Sequence, residues 1–233
     1  MEDCRIILIS NFLAEKIDGI EVFPVGEDRG WADNLRLVVE TLDCEYLLYL
    51  QEDYWLNHPV SAQALRLHID HMQKSGVDYL RLTFPEFDAG RREDTPDYCT
   101  IPVGVPYRLC LQAALWKKSK LMQLLLPGWS GWDFECRIEK FIKDEGIEVR
   151  SEVLHSSCRP ALSIEYVTGT GVRKGRWTRP AVKYLRENGF ADLIPLRPVE
   201  GVLLDFLAKK HIALLRLPCR VLGKIIKHFR WNI

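Results

Sequence analysis

The 233-residue chain lacks several features that would assign it to a compartment or to a common class of protein. It has no Cys-x-x-Cys pair and no Asn-x-Ser/Thr glycosylation sequence, and its seven cysteines are scattered. No apolar run approaches the length of a transmembrane helix, and Met1–Asp3 leads into a strand-like segment rather than a signal peptide. An odd number of dispersed cysteines is typical of reduced thiols, so we expect a cytoplasmic protein.

Basic residues are scarce in the first part of the chain and acidic residues in the second. Residues 1–100 carry 9 Lys/Arg and 20 Asp/Glu, a balance of −11, whereas residues 101–233 carry 23 and 12, a balance of +11. An acidic half that holds a metal ion and a basic half that holds phosphate would be complementary. Solvated charged faces would give the same counts.

The most informative segment joins a short apolar run to two adjacent carboxylates. Tyr46–Leu50 has the length and composition of a buried strand, and Glu52 and Asp53 follow it closely. In open α/β sheets, ligands bind at the carboxyl ends of the strands. Adjacent acids between aromatic residues are costly to bury unpaired, and Mg²⁺ carrying substrate phosphates would pair them. A strand that ends in two solvated acids is the alternative.

Strand-like and helix-like segments alternate around this motif. We expect strands at Arg5–Ser10 and Ile20–Val25, and a helix that opens at Trp31 and carries an apolar stripe to Leu42. The Tyr46–Leu50 strand comes next. This βαβ order predicts an α/β fold with a mixed, mostly parallel sheet flanked by helices.

The pattern continues beyond the carboxylates. A helix is expected over Ser61–Lys74, with Ser61 as its N-cap and Gly76 as its stop. Further strands are predicted at Val77–Phe84, Tyr107–Trp116 and Ile147–Leu154. A short helix is predicted at Ser119–Leu126.

A second informative segment, Pro127–Glu135, leads into an amphipathic helix. It places Asp133 and Glu135 at the amino end of that helix, beside Trp129 and Trp132. Two tryptophans after glycines favour a stacking surface for a ligand. Alternatively the tryptophans are core anchors and the acids complement the helix dipole.

A third segment, Tyr166–Trp177, is rich in glycine and carries Arg173, Lys174 and Arg176. A mobile basic loop of this kind suits closure over a diphosphate, although a solvated basic loop has the same composition. His155 stands at the end of the strand predicted before this loop; a lone histidine is more often structural than a ligand.

The last segment, Val202–Ile233, is amphipathic and basic, with seven Lys/Arg and no Asp/Glu from Phe206 onward. This composition favours a helix that lies on an anionic membrane surface; a helix packed on a partner subunit is the alternative. We therefore expect one domain over residues 1–198 and a helical tail over residues 199–233. The polar stretch Pro85–Tyr98 is long enough to be a lid or an acceptor-facing loop.

Three stretches together, Gly30–Leu35, Tyr46–Leu56 and Trp132–Glu135, resemble a known pattern. Their order and spacing resemble those of the GT-A fold nucleotide-sugar glycosyltransferases. The closest likeness is to bacterial family-2-like enzymes that build surface polysaccharides. The resemblance runs from about Arg5 to about Gly189.

The resemblance implies a donor site. Glu52 and Asp53 occupy the position of the family's Asp-x-Asp motif, which holds Mn²⁺ or Mg²⁺ against the diphosphate of the sugar donor. Gln51 replaces the first acid, so the match is partial. Asp33 and Asn34 match a segment that lies near the nucleoside.

The resemblance also implies the catalytic groups. Asp133 corresponds to the catalytic base of inverting members, with Glu135 as the alternative base, and the neighbouring tryptophans would bind the acceptor. His155 would be a further metal ligand or diphosphate contact. The Lys174–Trp177 segment resembles the mobile part that covers the donor.

One departure from the family keeps a second hypothesis open. Members begin with a further strand whose loop grips the nucleotide base, and Arg5–Ser10 corresponds to the second strand. The leading prediction is a membrane-peripheral, metal-dependent transferase acting on a glycan or lipid-linked acceptor. The alternatives are a non-catalytic scaffold subunit and, last, a nucleotidyltransferase, whose Gly-rich phosphate loop is lacking. Nucleic-acid binding has little support.

Overall fold

A computed structural model describes residues 4–13, 15–84, 97–155, 158, 160–167 and 169–201. The chain divides into two compact units. The first consists of Met1–Tyr49, Ser61–Arg81 and Ile101–Glu152. The second consists of Leu50–Val60, Leu82–Thr100 and Val153–Ile233. Most of the predicted tail and most of the predicted Pro85–Tyr98 loop lie outside the described residues.

The first unit opens with a parallel pair of strands, β1 (Ile7–Ser10) and β2 (Glu21–Pro24), in which Ile7 lies opposite Glu21. Both strands were predicted. Helix α1 (Trp31–Thr41) follows and buries the predicted apolar stripe, including Leu35. The predicted order of strand, helix and strand is therefore confirmed, but β1 and β2 form a two-stranded sheet separate from that of the strand after α1, so α1 is not the crossover of a βαβ unit.

Helix α2 (Ala62–Ser75) begins and ends where the capping residues predict. The Ser61 hydroxyl accepts a hydrogen bond from the Ala64 N–H at 3.2 Å, which satisfies one of the donors left unpaired at a helix start. Gly76 adopts φ 69°, the left-handed conformation that commonly ends a helix and suits glycine.

Five strands form the central sheet, in the order β3-β6-β4-β7-β5. They are β3 (Tyr46–Tyr49), β4 (Tyr79–Arg81), β5 (Tyr98–Thr100), β6 (Ala114–Lys117) and β7 (Ser151–Leu154). Strand β6 runs antiparallel to both β3 and β4. Both of these pairings are antiparallel, contrary to the mostly parallel sheet that was predicted.

The physical reason lies in the connections. A βαβ unit needs a crossover segment, usually a helix, whereas residues 102–113, which lead from β5 to β6, form turns and bends. Strand β6 therefore enters the sheet between β3 and β4 without the crossover helix of a parallel unit. The predicted Tyr107–Trp116 strand is correspondingly short, because Gly104 and Tyr107 have positive φ values of 85° and 57° and interrupt any extended run.

The core of the first unit lies between this sheet and two helices, α3 (Lys118–Leu124) and α4 (Gly131–Asp144). Tyr79, Trp116 and Phe134 are fully buried, and their rings contact one another in sequence, with centroids 4.5 Å and 6.1 Å apart. This aromatic packing fixes the amino end of α4.

The second unit contains a hairpin of β8 (Val172–Arg173) and β9 (Arg176–Trp177), then helix α5 (Arg179–Glu187). Two 3₁₀ helices, Pro160–Leu162 and Ala191–Leu196, complete it. A buried cluster of Trp177, Ala181, Val182 and Leu185 forms its core. Among the described residues, no helix is long and apolar enough to cross a membrane.

Candidate functional site

The two predicted metal-binding carboxylates follow β3 in a tight turn, in which the Tyr54 N–H donates to the Gln51 carbonyl at 3.2 Å. Glu52 is exposed and Asp53 is half-buried. Burial raises the pKa of Asp53, and the neighbouring charge of Glu52 raises it further. A hydrogen bond from Thr170 opposes this shift of the pKa without cancelling it. Asp53 is therefore a carboxylate in a site that penalises its charge.

The glycine-rich segment packs directly against this turn within the second unit. The Thr170 hydroxyl hydrogen-bonds to the Asp53 carboxylate and lies 2.6 Å from the Val172 carbonyl. The Gly171 N–H donates to the Asp53 carbonyl at 2.5 Å. A Cβ on Gly171 would lie 2.9 Å from that carbonyl oxygen and 3.2 Å from the Trp55 ring. Only glycine allows so close an approach.

The rest of the predicted basic loop is an ordered hairpin. Lys174 and Gly175 form its two-residue turn, with φ values of 49° and 72°, the left-handed pair that a type I′ hairpin turn requires. The Lys174 and Arg176 side chains are exposed. Neither forms an ion pair with another described residue, so both remain open to an anionic ligand.

Arg173 has a different environment from its two basic neighbours. Its guanidinium lies 2.8 Å from the Glu200 carboxylate, which is buried and also accepts a hydrogen bond from the Arg179 N–H at 3.3 Å. The Arg173 guanidinium, which was predicted to contact a diphosphate, is thus already paired with a carboxylate of the chain itself. This pair instead joins the hairpin to the start of α5.

In the first unit, the structure distinguishes the two predicted bases at the start of α4. Asp133 and Ser130 form a capping box, in which the Asp133 N–H donates to the Ser130 hydroxyl and the Asp133 carboxylate accepts from the Ser130 N–H, each at 3.1 Å. The Ser130 hydroxyl also donates to the Asp133 carboxylate at 2.6 Å. This bond, then the one from the Ser130 N–H and the one from Arg137, hold the pKa of Asp133 below its usual range. Its carboxylate is therefore a weak base with a structural role.

Glu135 is the better candidate for a base. It is partly buried, and burial raises the pKa of its carboxyl even though the Leu111 N–H donates to it at 2.8 Å. The positive charge of Arg81, which is buried at the end of β4, offsets part of this rise in the pKa of Glu135. A raised pKa suits a group that takes up a proton.

Glu135 and Arg81 form a cluster with a third residue, Tyr107, which the sequence analysis did not identify. It has a positive φ of 57°, which is uncommon for a residue with a side chain. Burial raises the pKa of its phenol, and the charges of Cys136 and Glu135 raise it further. The sequence carried one usable signal for this cluster, since an arginine at the carboxyl end of an apolar strand, as Arg81 is, suggests a buried partner.

The remaining predicted binding residues make contacts within the first unit. The Asp33 carboxylate accepts from the Gly128 N–H at 2.6 Å, and the Asn34 amide donates to Asp28 at 2.9 Å. Trp129 packs against Phe141 and the Arg137 guanidinium. Trp132 is 67% exposed, so it alone of the two tryptophans offers a free ring face.

His155 is not brought together with the two carboxylates as a metal site. The backbone N–H of His155 donates to the Asp97 carbonyl at 2.9 Å. Among the described residues, no three His, Cys, Asp or Glu side chains are grouped so that they could hold a metal ion. Glu52 and Asp53 therefore form at most a two-carboxylate set.

No protein-family model and no curated protein matches the chain.

Proposed function

We propose that the chain is a metal-dependent glycosyltransferase that moves a sugar from a nucleotide-diphosphate donor to a glycan or lipid-linked acceptor in bacterial surface polysaccharide synthesis. The observation that carries the proposal is Asp53. Its carboxyl is half-buried at the end of β3, its pKa is raised, and no cationic side chain pairs with it among the described residues. A bound cation would relieve this cost.

The chemistry of the donor set fits Mn²⁺ or Mg²⁺. A hard divalent cation that is held by one or two carboxylates and by substrate phosphates needs no third protein ligand. Glu52 and Asp53 would supply those carboxylates. When bound, the metal would neutralise charge on the departing nucleoside diphosphate. The exposed side chains of Lys174 and Arg176 would add positive charge for the same phosphates.

Glu135 would act as the general base of an inverting transfer. A base of this kind takes the proton of the acceptor hydroxyl as that oxygen attacks the anomeric carbon. Asp133 is the less suitable candidate for this role, because its capping hydrogen bonds lower the pKa of its carboxyl. The exposed Trp132 ring would stack on an acceptor sugar. The sequence resemblance favoured Asp133 as the base and Glu135 as the alternative, and this assignment reverses that preference.

A thermal-shift screen against nucleoside diphosphates, with and without Mn²⁺, tests the donor site. A ligand that binds only the folded state raises the unfolding midpoint. We expect a metal-dependent rise with one nucleotide, which Asp53→Asn removes and the exposed control Asp18→Asn retains. A rise that persists in Asp53→Asn would refute the metal assignment.

A second candidate is a non-catalytic binding subunit of a polysaccharide assembly complex. It is favoured by the occupied side chains of Asp33, Asn34 and Asp133, each of which already holds a turn or a helix end. This function predicts no nucleotide-dependent shift with any metal. The same screen therefore separates the two proposals.

A further inference from the structure

An apolar ridge lies on the 3₁₀ helix Ala191–Leu196 of the second unit. It consists of Phe190, Leu193 and Leu196, which are 48%, 37% and 72% exposed. A 3₁₀ helix has three residues per turn, so side chains at this spacing lie above one another on one side. Three large apolar residues thus share an exposed line.

The opposite side of the same helix is anchored. Ile194 packs against the buried cluster that contains Trp177 and Leu185. The Phe190 N–H donates to the Leu185 carbonyl at 2.8 Å, which fixes the start of the helix on α5. The ridge is therefore held outward by a packed scaffold, since Ile194 satisfies the apolar contact that the helix makes with its own unit.

The part of the chain that carries the ridge becomes basic toward its end. Residues 179–205 carry four Lys/Arg and four Asp/Glu, whereas from Phe206 onward there are seven Lys/Arg and no Asp/Glu, so residues 179–233 carry eleven and four. Apolar side chains beside a basic stretch suit insertion between anionic headgroups. A soluble acidic partner would not require the three exposed apolar side chains.

We infer that the Phe190–Leu193–Leu196 ridge inserts into the surface of an anionic membrane. The inference does not depend on the proposed transferase activity, because it uses neither the carboxylates nor the base. It adds to the predicted tail a contact site on the folded unit, at the point where the described chain leads into that tail.

Co-sedimentation of the full chain with vesicles tests the ridge. We expect binding to vesicles of phosphatidylglycerol and phosphatidylcholine, and much weaker binding to phosphatidylcholine alone. Phe190→Ser combined with Leu196→Ser should weaken binding at least about tenfold, since two apolar side chains would no longer leave water. Leu196→Ile keeps the apolar surface and should retain binding.

The matched control is Phe12→Ser, which removes a 76% exposed phenylalanine of the first unit and should leave binding unchanged. Unaltered circular dichroism and melting of the double variant would show that it folds. Wild-type binding by the folded double variant would overturn the inference. Two other results would also overturn it. In the first, the wild-type chain binds neither kind of vesicle and the double variant melts earlier, as expected if residues 202–233 cover the ridge. In the second, the wild-type chain is a dimer and the double variant is a monomer.

Discussion

Glu135 and Asp133 lie two residues apart at the start of α4, yet their surroundings push their pKa values in opposite directions. If the proposed transferase activity is found, Glu135→Gln should lower it about 100-fold or more, the usual contribution of a general base. Asp133→Asn should leave most activity and lower the melting temperature, because it disrupts the capping box. Steady-state kinetics on both variants, with Glu145→Gln as an exposed control at the C-cap of the same helix, would check this assignment.

The raised pKa of Glu135 also predicts a pH dependence of stability. The folded chain holds the Glu135 proton more tightly than the unfolded chain, so the free energy of unfolding falls as pH rises from the ordinary glutamate pKa to the folded one. Glu135→Gln removes this loss. Urea unfolding across acid to neutral pH should therefore show the variant gaining stability relative to the wild type. A constant difference would contradict the raised pKa.

The three basic residues of the hairpin are expected to separate into two classes. Arg173→Ala leaves the buried Glu200 carboxylate without its guanidinium and should destabilise the fold by about 2 kcal/mol. Arg176→Ala should change stability by less than about 0.5 kcal/mol, because the side chain is exposed. It should instead weaken nucleotide diphosphate binding about tenfold. Denaturant unfolding and titration calorimetry would separate the two effects.

The sequence could not distinguish these residues from one another. Asp133 and Glu135 share a helix start; the capping partner of Asp133, Ser130, is local, but the partners of Glu135, the Leu111 N–H and Arg81, come from distant segments. Arg173 and Arg176 likewise share one basic stretch, and the partner of Arg173 lies 27 residues further along the chain. Residue types were therefore predictable, whereas their partners depended on tertiary contacts.

The hairpin formed by β8 and β9 depends on its close approach to the carboxylate turn. Gly171→Ala would push a Cβ against the Asp53 carbonyl and the Trp55 ring, at 2.9 Å and 3.2 Å. We expect a loss of about 1 to 3 kcal/mol in stability, together with weaker metal-dependent nucleotide binding. Gly169→Ala is the matched control, because its Cβ would meet nothing within 4 Å. Equal melting temperatures for the two variants would contradict the packing argument.

Elements whose ends are marked by local chemistry were predictable, and elements defined by pairing were not. Ser61 and Gly76 fix the ends of α2 through their own hydrogen bond and backbone angle. The direction of β6 instead depends on the route that the chain takes through residues 102–113, which carry no periodic pattern. The turn at Lys174 and Gly175 could have been predicted as a hairpin, since it lies between two short strand-like pairs, Val172–Arg173 and Arg176–Trp177. The glycines of the segment instead led to the prediction of a mobile loop.

The opposite charge balances of the two parts of the chain cancel in the total of zero, so net charge alone predicts no attraction to a membrane. The positive charge is concentrated in the last part of the chain, where residues from Phe206 onward carry seven Lys/Arg and no acid. An attraction of this kind acts over about 10 Å at 0.1 M salt and about 3 Å at 1 M. Binding to anionic vesicles should therefore occur despite the zero total.

Salt should then separate the two contributions to membrane binding. Raising the ionic strength from about 0.1 M to about 1 M screens the basic residues, whereas burial of Phe190 and Leu196 in the bilayer is not screened. We expect the wild type to lose most of its binding to phosphatidylglycerol vesicles at high salt and to keep a remainder. The Phe190→Ser/Leu196→Ser variant should lose most of that remainder, because the two most exposed apolar side chains of the ridge no longer enter the bilayer. Equal high-salt binding by the two proteins would show that the ridge does not enter the bilayer.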